Sequence, residues 1–167
     1  SSGVPSVYPQ SMESLGQNYG YILYRTRLHS EENLGKIRLW GANDRADILL
    51  EDKLVLTLYD RELLEERELN LPIEKGARLD ILMENMGRVN FGPLMERQRK
   101  GIGQCVQING HMHNHWEQYP LPLDNVEKVD FSGDYLPGTP AFYRFAFHAE
   151  EVGDTFLDFE GWSKGCV

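Results

Sequence analysis

The nine residues Glu84-Asn-Met-Gly-Arg-Val-Asn-Phe-Gly92 crowd two asparagines, two glycines, an arginine and an aromatic behind the alternating run "RLDILM". That mixture suits sugar recognition. An aromatic face stacks on the C–H face of a pyranose, while side-chain amides and a guanidinium bond its hydroxyls. The candidates here are Asn85, Arg88, Asn90 and Phe91, with Gly87 and Gly92 free to take the positive φ of a tight turn. The same residues also read as a plain turn, in which Asn85 and Asn90 bond their own backbone and Arg88 pairs with an acidic neighbour. Composition leaves both readings open and leans towards the turn.

Two other constellations bear on chemistry. In "HMHNH", His111, His113 and His115 alternate, so on a strand all three imidazoles would face one side and could chelate a transition metal. A structural zinc takes four ligands, and no nearby cysteine or acidic pair completes the set. The segment therefore reads as a polar hairpin tip ahead of Trp116, and no metal is expected. Carboxylates are plentiful, but nothing in the sequence marks Glu84, Asp154 or Asp158 as held in an apolar pocket, as an acid/base pair would need. There is no Ser-His-Asp order, no phosphate-cradling glycine loop and no nucleophile elbow. Neither a catalytic residue nor a cofactor is expected. Cys105 and Cys166 are far apart, lack metal-site spacing and make no disulfide framework.

These residues must be positioned by something, and 167 residues with 41% hydrophobic content are enough for a core. Seventeen Lys and Arg are scattered among 26 Asp and Glu, a net charge of −9 that argues against a nucleic-acid partner. No apolar run approaches the roughly 18–20 residues of a membrane-spanning helix. The dominant period is two. It predicts strands over 19–28, 36–41, 46–52, 53–60, 67–73, 77–85, 103–110 and 114–123, with Glu51-Asp52 as a hairpin turn. Residues 61–70 have helical composition and make the weakest strand region. Short strands at roughly ten-residue spacing predict an all-β sandwich or barrel.

Residues 121–140 hold three prolines and two glycines and read as a linker, after which 140–150 and 154–162 return to strand patterning. An internal echo accompanies this. Tyr24-Arg25 is followed twenty residues after Arg25 by Arg45, and Tyr143-Arg144 is followed twenty residues after Arg144 by Lys164. The second copy stops where its next strand is due.

Longer phrases add a resemblance. "LGQNYGYILYRT" (15–26), "NDRADILLEDKLVLTL" (43–58), "GARLDILMENMGRVNFG" (76–92), "KGI" (100–102), "WEQYPLPL" (116–123), "PAFYRFAF" (140–147) and "DTFLDFEGWSKGCV" (154–167) resemble, in order, the C-terminal β-domains of family 35 glycoside hydrolases, the β-galactosidases. The resemblance implies an antiparallel jelly-roll β-sandwich of the galactose-binding-domain-like type, with a truncated second β unit. It implies a tail or linker over 1–11, the sandwich over 12–124, a linker over 125–139 and the opening strands of a second, incomplete sandwich over 140–167.

The family plan carries two catalytic glutamates on a (β/α)₈ barrel of the same polypeptide, and its reaction is retaining hydrolysis of terminal β-linked galactose. By that resemblance the chain is a non-catalytic accessory domain that braces the barrel and lends a loop to the galactoside pocket. Phe91 would wall the pocket, with Asn85, Arg88 and Asn90 holding the loop's shape. The family usually has Tyr at that position, so any hydrogen bond from its hydroxyl is lost here. The alternatives are an autonomous carbohydrate-binding module for galactose-type sugars and a purely structural or dimerising domain.

Overall fold

The computed structural model describes residues 2–29, 33–151, 153–158, 160 and 161. Among the described residues ten strands form two antiparallel sheets: β1 (Val4–Ser6), β2 (Tyr21–Arg27), β3 (Asn33–Asn43), β4 (Arg45–Leu50), β5 (Lys53–Tyr59), β6 (Arg67–Pro72), β7 (Arg78–Glu84), β8 (Gly101–Ile108), β9 (His111–Met112) and β10 (Trp116–Leu121). The six-stranded sheet runs β1-β10-β2-β7-β4-β5 and the four-stranded sheet runs β6-β3-β8-β9. The chain passes repeatedly from one sheet to the other, the winding of a jelly-roll sandwich.

Alternation builds the core. Along β2, Ile22, Tyr24 and Thr26 are buried while Tyr21, Leu23 and Arg25 are half-buried on the outer face. Facing them from the central strands are Leu79, Ile81, Met83 and Ile48, and from the other sheet Leu34, Ile37, Leu39, Ile102 and Val106. Each such side chain contributes about 1.5–3 kcal/mol by leaving water. The outer face of the large sheet is polar but closed. Arg25 grips Asp80 at 2.7 and 2.9 Å, and Arg45 reaches Asp47 at 3.0 Å and Glu84 at 3.3 Å.

Turns and bulges obey local chemistry. Glu51 and Asp52 have φ of 47° and 66°, the paired positive values of a type I′ hairpin between β4 and β5. β3 breaks register at Leu34/Lys36 and again at Trp40/Ala42, where Gly41 has φ of 67°. These bulges let an eleven-residue strand keep Leu34, Ile37, Leu39 and Ala42 inward despite unequal spacing. Pro120 lies in β10 between β1 and β2, but β1 pairs only with Trp116–Gln118. Its missing N–H therefore faces no ladder.

Several expectations need correction. Residues 4–6, expected in a tail, add an edge strand to the large sheet, because their backbone groups find partners along Trp116–Gln118. Residues 61–70 divide into a 3₁₀ turn, Asp60–Leu64, and then β6, so both signals were real. Over 140–150 and the described residues of 154–162 no strand forms. Among the described residues after 128 there is neither strand nor helix, and Phe142, Phe145, Phe147 and Phe156 are exposed. An alternating segment with no facing sheet has nowhere to bury its apolar side. The second half of the internal echo, from Lys164 onward, lies outside the described residues.

Candidate functional site

The loop that follows β7 is built outward from its base. Asn85 donates from its backbone N–H to Gly20 O (3.1 Å) and from Nδ2 to Asn18 O (2.9 Å), while its Oδ1 accepts from the Gly87 N–H (3.0 Å). This is the self-bonding turn that its side chain favours. Gly87 and Gly92 have φ of 110° and 128°, and a Cβ at either would meet open space. Torsion, not crowding, is what requires glycine there.

Arg88 pairs with Glu13 at 2.7 Å and donates to Asn18 O at 3.2 Å. The Val89 N–H reaches Gln98 Oε1 at 3.2 Å and closes the loop on itself. Asn90 makes no hydrogen bond among the described residues, contrary to the expectation that it would bond its own turn. Phe91 is 91% exposed. The predicted residues are thus contiguous, but they divide into an anchored base and an unanchored tip.

Beneath the loop lie three residues to which the sequence assigned no role. Lys100 is 1% exposed and places Nζ 2.6 and 2.7 Å from the two oxygens of Asp44. Asp44 Oδ2 accepts from the Met86 N–H at 2.8 Å. Glu13 accepts from the Lys100 N–H at 3.0 and 3.1 Å. Burial alone would raise the Glu13 carboxyl. Backbone N–H groups, the Arg88 guanidinium and Ser11 outweigh burial and hold it below the ordinary value. A cleft of about 330 Å³ opens beside this network, with Asp44, Tyr59, Asp60, Met86, Arg88 and Lys100 among its walls.

The other candidates resolve differently. His111 sits on β9, His113 stacks on His29 at 5.5 Å with Nε2 2.9 Å from Thr26 Oγ1, and His115 adopts a φ of 65°. The three do not line one strand face. Among the described residues no group of three or more His, Cys, Asp or Glu could hold a metal ion. Burial, together with the neighbouring His29 and His115, lowers the His113 pKa. Glu84 proves to be buried, but against the Arg45 guanidinium it shares with Asp47. Asp154 and Asp158 are exposed. Cys105 is a half-buried free thiol, and among the described residues no helix is long and apolar enough to cross a membrane.

Fold and loop together define a class: an all-β sandwich domain carrying an anchored, aromatic-tipped loop. Residues 9–122 match the family described as beta-galactosidase, first all-beta domain, and the chain belongs to that family. It is 33% identical over 159 residues to a beta-galactosidase of Xanthomonas manihotis, covering 94% of this chain and 26% of that protein. It is 34% identical over 176 residues to the beta-galactosidase-1-like protein of Mus musculus, covering 98% and 26% respectively. With the beta-galactosidase of Homo sapiens it shares 29% identity over 193 residues, covering 100% and 28%. The chain therefore spans between a quarter and three-tenths of the length of these relatives.

Proposed function

We propose that the chain is a non-catalytic accessory β-domain of a retaining β-galactosidase, bracing a catalytic (β/α)₈ barrel of the same polypeptide and lending its 85–92 loop to the galactoside pocket. The observation that carries this reading is the contrast within the loop. Asn85, Arg88 and Val89 are tied down, whereas Phe91 stands 91% exposed at the tip. A large aromatic held out of a rigid base is suited to a surface on another unit, because isolated exposure leaves its apolar area in water. The curated relatives are beta-galactosidases several times longer than this chain, which leaves room in such proteins for a separate catalytic unit. Asn85 and Arg88 then shape the loop, Gly87 and Gly92 permit its turns, and Phe91 supplies apolar contact only. Asn90, without a hydrogen bond among the described residues, is on this reading the side chain that would meet a sugar hydroxyl.

Residues 125–139 serve as a linker on this reading and 140–167 as the opening strands of a second β unit. Support comes from Phe145 and Phe147, two residues apart and 71% and 67% exposed, a spacing that suits one face of a strand whose partners lie elsewhere.

The alternative of an autonomous sugar-binding module has one observation on its side, the cleft beside Tyr59 and Arg88. Two assays on this chain separate the readings. The accessory role predicts no release of galactose from a β-galactoside and no saturable galactose binding in the sub-millimolar range by calorimetry. Turnover would overturn the non-catalytic assignment, and sub-millimolar binding would favour the module.

A further inference from the structure

From Lys100, two arms reach the loop that precedes it. Its ammonium, buried to 1% exposure, binds both oxygens of Asp44, and Asp44 in turn accepts from the Met86 N–H at 2.8 Å. Its backbone N–H binds Glu13, and Glu13 binds Arg88 at 2.7 Å. The two arms grip the chain on either side of Gly87, the residue with φ of 110° at which the loop turns.

Asp44 is itself fixed by the backbone, donating to Glu84 O at 3.0 Å and accepting from the Asp60 N–H at 3.1 Å. Beyond the second arm, Val89 is closed on Gln98, and nothing among the described residues bonds Asn90. Bond by bond, restraint ends where the exposed tip begins.

Stability alone does not account for an ammonium in this position. A buried ion pair gains little over an apolar pair of the same volume, because desolvating two charges offsets their attraction. An apolar pair would fill the space but could not accept the Met86 N–H. What the charged pair adds is direction. Both Asp44 oxygens are held, so the one facing Met86 stays aimed at it.

We propose that Lys100, Asp44 and Glu13 form a two-armed clamp that sets the direction of the 86–92 loop, making them positioning residues for whatever Phe91 touches. The clamp concerns the loop's geometry; its consequence for a galactoside rests on the accessory reading above.

The test is amide hydrogen exchange on this chain in two variants. Glu13→Gln weakens the outer arm at a partly exposed site. The double variant Lys100→Met, Asp44→Leu removes the inner arm without leaving a buried charge unpaired. Exchange at Met86 and Val89 is expected to quicken by about tenfold or more in the double variant, with the core amides of Ile22 and Ile81 unchanged. Glu13→Gln should quicken Val89 and leave the core alike. Unchanged exchange at both sites, with the core intact, overturns the clamp.

A kinetic arm keeps the two proposals apart. In the full-length polypeptide, the double variant should raise KM for a galactoside with kcat nearly constant. Quickened exchange with unaltered KM would retain the clamp and sink the pocket role. Quickened exchange with raised KM supports both.

Discussion

Tyr24→Phe probes the joint on which the site rests. The Tyr24 hydroxyl is fully buried, donates to Gln10 O at 2.6 Å and accepts from the Ile102 N–H at 3.0 Å. It therefore ties β2 of one sheet to the start of β8 in the other, two residues after Lys100. Removing one oxygen strands a donor and an acceptor. Gln10 is an exposed residue whose carbonyl can return to water, whereas Ile102 is wholly buried. The penalty falls chiefly on that N–H, at about 2 kcal/mol. For a chain of 167 residues this lowers Tm by about 4–8 °C.

Burial also raises the Tyr24 phenol well above its ordinary value, against a smaller opposing effect of the Ile102 N–H. The folded state thus holds the proton more tightly than the unfolded chain. The resulting stability is complete below the unfolded pKa of about 10 and is lost as pH climbs above it. Thermal melts of both proteins between pH 7 and 11 test this. Tyr24→Phe should melt lower at pH 7 and lose less stability on the alkaline side. A Tm within about 1 °C of the parent at pH 7 would refute the account of that joint.

Two further predictions concern its surroundings. Gly101 has φ of 77°, and a Cβ there would press on the Tyr24 hydroxyl, so Gly101→Ala should cost more than about 2 kcal/mol, read as a lower urea midpoint with unchanged slope. His113 is lowered by burial and by His29 and His115, so protonating it opposes the fold. Stability should fall as pH drops below the unfolded histidine value of about 6.5, and His113→Gln should reduce that fall in urea midpoints at pH 7 and 5.5.

The parts of the fold legible in the sequence were those governed by neighbours in the chain. β2 alternates cleanly because it presents one face to the core, and Glu51-Asp52 announces its turn by chemistry local to two residues. β3 extends beyond its predicted 36–41 at both ends, since its two register shifts break the period of two. β1 is three residues with no pattern, recruited only because β10 offers a free edge. In the loop, the Asn85 turn and the conformations of Gly87 and Gly92 follow from residue type. The clamp does not. Lys100 meets Asp44 across 56 positions and Glu13 across 87, and no spacing rule in a single sequence spans that distance.

The central claim is that the exposed tip of this loop works on another part of a longer polypeptide. Phe91→Ala in the full-length polypeptide tests it most directly, with kcat/KM for a galactoside as the readout. Because Phe91 is 91% exposed, its removal should leave stability within about 0.5 kcal/mol. Loss of an apolar pocket wall should cost about 1 kcal/mol or more at the transition state, a fall in kcat/KM of roughly fivefold or more. Unchanged kcat/KM with an intact fold would contradict the account.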